Sequence, residues 1–268
     1  MPTKKLKNKN IYGLVGKNIN YSFSKGYFLE KFKKEKISGC DYLNFDIEKV
    51  DLIQDLFRKN FLSGLNVTIP YKEKIIPFLD ELSPIAEEIG SVNTICFIDS
   101  KTIGYNTDIY GFEKTLSEIN INKVSHALVL GSGGASKAIR YVLSKKNIEY
   151  ILVSRSKKED SILYKDLDSN LFKQNLLIIN STPLGTFPNT EECPDIPYNY
   201  INNRHILYDL VYNPKETLFM KKGNAMGAKV TNGLRMLEYQ AEKSWELWSK
   251  SNWQFFLLIL EYKLLNSI

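Results

Sequence analysis

The chain has 268 residues, 43% hydrophobic and 25% charged, with 36 Lys+Arg against 30 Asp+Glu and a formal net charge of +6. These are the proportions of a globular protein of one or two domains; they exclude wholesale disorder and fibrous repeats, and the modest charge makes no independent case for nucleic acid. Three scattered cysteines (Cys40, Cys96, Cys193) have neither disulfide nor zinc spacing and are expected as reduced thiols, and the two histidines, His126 and His205, stand far from any motif, which leaves metal and Ser-His-Asp hydrolase chemistry without support.

Met1 to Asn10 is basic and polar, with no apolar segment after it, so it reads as a solvated tail rather than a secretory signal. Ile11–Val15 is a strand ended by Gly16. A polar loop, Lys17 to Ser24, leads into a helix reaching about Lys36, and Asp41–Phe45 is a second strand. Val50–Asn60 has helical spacing, with Leu52, Ile53, Leu56 and Phe57 on one face. Leu65–Ile69 is a third strand stopped by Pro70, Lys72–Leu82 is helical, and Ser91–Ile98 is a strand from which Lys101–Tyr105 returns. Tyr110–Ile119 is a connecting helix. A second series follows: strand His126–Leu130, glycine turn, helix Lys137–Lys146, then strands Tyr150–Val153, Leu176–Asn180 and Ile206–Leu210. Helix Leu218–Gly227 and strand Ala228–Thr231 come next. A helix begins near Arg235 and runs through Trp248, and the last residues form a second terminal helix. The longest apolar run, Phe255–Leu260, is far short of the ~20 residues that span a bilayer, so no membrane is an expected partner, and the modest charge makes nucleic acid an unexpected one. This is an α/β protein with two α/β units.

Gly131-Ser132-Gly133-Gly134-Ala135-Ser136 directly follows an apolar strand and opens a helix, the context that a dinucleotide fingerprint requires. Gly131 allows the tight turn, Gly133 the close approach of a pyrophosphate, and Ser136 close helix–strand packing. About 20 residues on, where a carboxylate would read the ribose of NAD, stands Ser154-Arg155-Ser156-Lys157-Lys158. Its cations and hydroxyls suit a 2′-phosphate, so NADP is expected over NAD. In the first half, polar clusters sit at strand ends: Ser22 and Ser24, Asn66 to Lys72, Ser91 to Thr94, and Gly104 to Asp108. One Lys and one Asp among hydroxyls and amides suit a small polyhydroxylated ligand.

These segments resemble shikimate dehydrogenase. The resemblance rests on Ile19–Ser24, Asn66–Glu73, Ile89–Thr94, Gly104–Asp108, Leu130–Ser136, Asn180-Ser181-Thr182, Tyr208–Pro214, Asn232–Leu237 and Gln240, in family order from about residue 12 to 248. It implies reversible hydride transfer between NADPH and the ring ketone of 3-dehydroshikimate, a step of aromatic amino acid biosynthesis in the cytoplasm. It further implies that Ser22 and Ser24, with Tyr212, hold the substrate carboxylate, that Thr68, Asn93 and Gln240 bind ring hydroxyls, and that Lys72 and Asp108 form the catalytic pair. Which of that pair transfers the proton is left open. Cofactor contacts are implied for Gly131 to Ala135, Ser154 to Lys158, Leu210, Gly233 and Arg235, with no metal. The implied fold has a substrate-binding domain, 1–108 with C-terminal helices 233–268 returning to it, and a Rossmann-like NADP-binding domain, 109–232, with a cleft between; a homodimer is compatible with it.

The sequence departs from the family at Asn18, Tyr21 and Lys25, where Pro, His and Pro are frequent, at Leu210, where Met is frequent, and at Arg235, which replaces the second glycine of a late Gly-Leu-Gly motif near the nicotinamide. The Arg235 backbone can serve there if its side chain points away. The alternatives are an NAD-preferring quinate/shikimate dehydrogenase, against which the run from Ser154 to Lys158 argues, and a non-catalytic nucleic-acid-binding module, which gives no reason for Lys72 and Asp108.

Overall fold

The computed structural model describes residues 9–20, 22–58 and 61–265, with side chains to residue 250. The tail over 1–8, Tyr21 and the side chains of the run 255–260 lie outside the described residues. The chain divides into two compact units, Met1–Thr107 with Ala241–Ile268, and Asp108–Gln240.

The first unit contains β1 (Asn10–Gly16), α1 (Phe23–Lys34), β2 (Cys40–Asp46), α2 (Ile53–Phe57), β3 (Leu62–Val67), β4 (Glu81–Leu82), α3 (Pro84–Ile89), β5 (Thr94–Ile98) and β6 (Lys101–Tyr105). Its sheet has the order β2-β1-β3-β5-β6-β4. The first three strands are parallel, whereas β5 runs antiparallel to both β3 and β6. The chain returns from β5 to β6 through a two-residue turn, Asp99-Ser100, whose φ values of 49° and 65° match the right-handed twist of a hairpin. Alternation along β1 supplies two cores. Tyr12 and Leu14 pack with Phe28, Phe32 and Trp248, while Val15 packs with Ile53, Leu56 and Ala86. Trp248 is fully buried, and its indole N–H donates to Ile95 O at 3.0 Å.

Two expectations fail here for local reasons. Residues 72–82 form turns, a 3₁₀ turn at Ile76–Phe78 and β4, not a helix. Pro77 in mid-segment removes a backbone donor and disfavours helix at Ile76. The helix instead starts later, as α3, where Ser83 caps Ala86 N, Pro84 occupies the first turn and Gly90 ends it at φ 58°. Of the helix expected over 50–60, residues 50–57 are a 3₁₀ turn followed by the five residues of α2, and residues 59 and 60 lie outside the described residues.

The second unit contains α4 (Asp108–Glu118), β7 (His126–Leu130), α5 (Gly134–Lys145), β8 (Glu149–Ser154), β9 (Ser161–Leu163), β10 (Leu176–Asn180), β11 (Ile206–Asp209), α6 (Leu218–Ala225), β12 (Lys229–Thr231) and the start of α7 (Leu234–Leu265). The chain passes into the first unit's C-terminal segment within α7, at 240/241, not ahead of Gly233. The second terminal helix is a continuation of α7, which runs unbroken for 32 residues. All strands of the sheet β12-β11-β10-β7-β8-β9 are parallel. Parallel strands covered on both faces need continuous apolar runs, and β10 and β11 are buried at every residue. The chain builds β7, β8 and β9 to one side and restarts at β10 on the other side of β7. That reversal makes a crevice outside the carboxyl ends of β7 and β10, where open α/β sheets take ligands. No helix among the described residues is long and apolar enough to cross a membrane.

Candidate active site

Gly131 follows β7 directly, and its N–H donates to Val153 O of β8 at 2.8 Å. Its φ of +101° suits glycine alone, and a Cβ there would press to 2.8 Å on Thr182. Gly133 occupies the N-cap of α5, and a Cβ on it would meet nothing within 4 Å. Open space therefore lies at the amino end of a 12-residue helix, whose first-turn N–H groups and dipole favour an anion. Ser136 is fully buried, and its hydroxyl donates to Gly133 O at 2.7 Å, which fixes the turn on its helix. Ser132, Gly134 and Ala135 are half-buried around it.

The neighbouring strand β8 ends in buried Ser154, after which Arg155, Ser156, Lys157 and Lys158 are exposed. Leu130 of β7 pairs with Val153 of β8, so the glycine turn and the basic run emerge side by side. An open cradle with four hydroxyl or cationic side chains beside it, and no carboxylate before Glu159, fits a dinucleotide that carries a 2′-phosphate. Leu210 and Gly233 meet beyond the tip of β11, where a Cβ on Gly233 would overlap Leu210 O.

In the first unit, backbone bonds link Thr68, Lys72 and Asn93 at the carboxyl ends of β1 and β3, and the loop bearing Ser22 and Ser24 follows β1 at the same end. Thr68 N donates to Val15 O at 2.9 Å, Val67 N to Asn93 O at 2.8 Å, and Val92 N to Lys72 O at 2.8 Å. The serine loop joins them at Gly16, where a Cβ would press to 2.6 Å on both Ile19 and Thr68. Ser22 caps α1, accepting from Ser24 N at 3.3 Å. Asp46, at the end of β2, holds the loop by accepting from Asn18 N at 2.9 Å and Ile19 N at 3.2 Å. Asn93 is buried; its Oδ1 accepts from Thr107 N at 2.7 Å and its Nδ2 donates to Thr107 Oγ1 at 3.0 Å.

The other three substrate-side candidates belong to the second unit. Asp108 opens α4 and is buried, Tyr212 is half-buried after β11, and Gln240 on α7 is buried with its Nε2 donating to Leu237 O at 2.9 Å. The helices α4 and α7 touch at Gly111, where a Cβ would come to 2.6 Å from Met236 O and 3.1 Å from Gln240 Cβ. Asp108 lies one turn before Gly111, on the same side of α4.

A model of the shikimate dehydrogenase substrate binding domain matches residues 14–95. A shikimate dehydrogenase (NADP(+)) of Methanococcus maripaludis is 39% identical over 259 residues, covering 89% of this chain and 91% of the relative. The chain belongs to the shikimate dehydrogenase family. Among solved structures, shikimate dehydrogenase 1 from Peptoclostridium difficile superposes with a TM-score of 0.79 at 36% identity over 90% of this chain and 92% of its own. A shikimate dehydrogenase crystallised with NADP+ gives 0.79 at 31% identity over 90% of both chains.

The family's late glycine position is accommodated in an unexpected way. Arg235 is half-exposed and its guanidinium turns to Glu238 at 2.8 Å, Glu118 at 3.4 Å and the Tyr239 hydroxyl, stacking 4.6 Å from that ring's centroid. The side chain is committed to α4 and to its own helix, so the extra bulk is directed along α7.

Two site-building residues carried no role in the sequence reading. Asp46 is one. The other is Asp209, fully buried at the tip of β11. Its Oδ1 accepts from Val211 N at 3.0 Å and Asn180 Nδ2 at 2.9 Å, and its Oδ2 accepts from Thr217 Oγ1 at 2.6 Å. Asn180 Oδ1 in turn accepts from Thr182 N at 3.0 Å. One carboxylate thus ties the tips of β10 and β11, and with them the loop bearing Leu210 and Tyr212. Burial outweighs these hydrogen bonds and pushes its carboxyl up to about 6. A raised folded-state value means that the stability this group contributes is complete below pH 4 and is lost as pH rises through about 6. Asp209→Asn cannot ionise. The stability of the native protein relative to this variant should therefore fall by about 2 kcal/mol between pH 4 and pH 7 in urea melts. A difference independent of pH would contradict the burial argument.

Proposed function

We propose that the chain reversibly reduces 3-dehydroshikimate to shikimate with NADPH, in the cytoplasm, within aromatic amino acid biosynthesis. What supports this reading is the link between Thr68, Lys72 and Asn93 in one strand-end cluster, with the loop that carries Ser22 and Ser24 leaving the neighbouring strand at the same end. In this reading Ser22 and Ser24, with Tyr212, hold the substrate carboxylate, and Thr68, Asn93 and Gln240 engage ring hydroxyls. NADPH supplies the hydride. As the ketone oxygen gains negative charge, the Lys72 ammonium stabilises it, and Lys72 or Asp108 delivers the proton while the other orients or replenishes it. The turn Gly131 to Ala135 holds the pyrophosphate, Ser154 to Lys158 hold the 2′-phosphate, and Leu210, Gly233 and the Arg235 backbone border the nicotinamide.

The 2′-phosphate assignment has its own consequence. Arg155→Ala should raise the Michaelis constant for NADP by about tenfold, the worth of one charge-assisted hydrogen bond, and change that for NAD by less than about twofold. An unchanged NADP constant would shift the contact to Lys157 or Lys158. The reaction itself is tested by following NADPH absorbance with 3-dehydroshikimate beside NAD reduction with quinate. The reading requires the first to dominate. Faster quinate oxidation with NAD would replace it with a quinate dehydrogenase.

A further inference from the structure

Between β8 and β10 the described chain has no α-helix, only β9 and 3₁₀ turns at Tyr164–Asp166 and Leu171–Lys173. Parallel neighbours ordinarily need a crossover of about a dozen residues or more. Here Arg155 to Asp160 suffice, because β9 begins with Ser161 opposite Leu152, only two positions back from the end of β8. The basic run is therefore a closed loop whose two ends lie side by side at the sheet edge.

Hydroxyls staple those ends. Ser154, 3% exposed, donates its hydroxyl to Ser156 O, and its Oγ lies 3.0 Å from Ser161 Oγ. The Ser161 hydroxyl has one hydrogen and two acceptors within reach of it, Ser154 Oγ and, at 3.4 Å, Lys158 O. Ser161 Oγ also accepts from Lys158 N at 3.0 Å, and Ser161 N donates to Lys158 O at 3.2 Å. Ser161 thus grips both the start of the loop, through Ser154, and its far side, through Lys158.

We propose that Ser161 is a specificity-determining positioning residue: by holding the loop closed, it sets where Arg155, Ser156 and Lys157 present donors to a 2′-phosphate. The inference rests on reading this loop as the 2′-phosphate site. Ser161 does not touch the ligand. Its effect is to spare binding the conformational entropy of ordering long cationic side chains on an open loop. Only a ligand bearing the extra phosphate gains from that.

Calorimetric titration with adenosine 2′,5′-bisphosphate and with AMP separates the possibilities. The native protein should prefer the bisphosphate. Ser161→Ala should weaken the bisphosphate about tenfold and AMP less than about twofold, since each lost hydrogen bond is worth about a factor of ten or less. Ser161→Thr, which keeps the hydroxyl, should restore the preference. A Ser161→Ala protein that retains the native preference, or loses both ligands equally, overturns the proposal. If the native protein itself shows no preference, the 2′-phosphate reading of the loop falls and the proposal falls with it.

Discussion

Lys72→Ala should lower kcat for 3-dehydroshikimate reduction by about 10³, while the dissociation constant of NADP changes by less than about twofold. The ammonium is assigned to charge that exists only as the ketone is reduced, so its removal should appear in kcat and kcat/KM together. The fold should tolerate the change. Lys72 is half-buried, and its backbone carbonyl, which accepts from Val92 N at 2.8 Å, keeps that bond after truncation. Comparable losses in turnover and in NADP binding would mean that Lys72 supports the site rather than the chemistry.

Gly133→Ala should leave the thermal midpoint unchanged and weaken NADP by about 10²-fold, the worth of one or two charge-assisted hydrogen bonds from the helix amino end. At φ −84° and ψ −176° the Gly133 backbone is open to any residue, and the new methyl would meet no protein atom within 4 Å. It would occupy the space through which the pyrophosphate must approach. Gly131→Ala is the contrasting case. There φ is +101° and the methyl would press on Thr182, so the fold should be destabilised by at least about 1 kcal/mol before any ligand is considered. A Gly133→Ala protein that binds NADP normally would move the pyrophosphate away from this turn.

The second unit was legible because its strands are covered on both faces. His126–Leu130 and Leu176–Asn180 read directly from continuous apolar runs, and the glycine turn falls between strand and helix as its spacing demands. The first unit was legible in its longer strands but not between residues 72 and 90. There Pro77 broke an apparently helical apolar pattern, and the Ser83-Pro84 start signal of a six-residue helix was too local to outweigh it. Three-residue β9 left no periodicity to detect.

Within the candidate site, strings such as Asn66 to Lys72 marked the strand ends. The residues that hold those strings in place were not readable. Asp46 reaches Asn18 across 28 positions, and Asp209 reaches Asn180 across 29, so nothing in either local pattern names the partner. Arg235 was the reverse case: a departure from the family pattern whose consequence depended on side-chain direction, which Glu118, Glu238 and Tyr239 decide.

The central claim is that Lys72 and Asp108 serve one reacting oxygen. A crystal structure of the protein with shikimate and NADP tests it most directly. The account predicts the oxidisable ring hydroxyl within about 3.2 Å of both the Lys72 ammonium and the Asp108 carboxylate, with the shikimate carboxylate on the Ser22 and Ser24 hydroxyls. A ring bound elsewhere, or bound here with those two side chains turned from the hydroxyl, would contradict it.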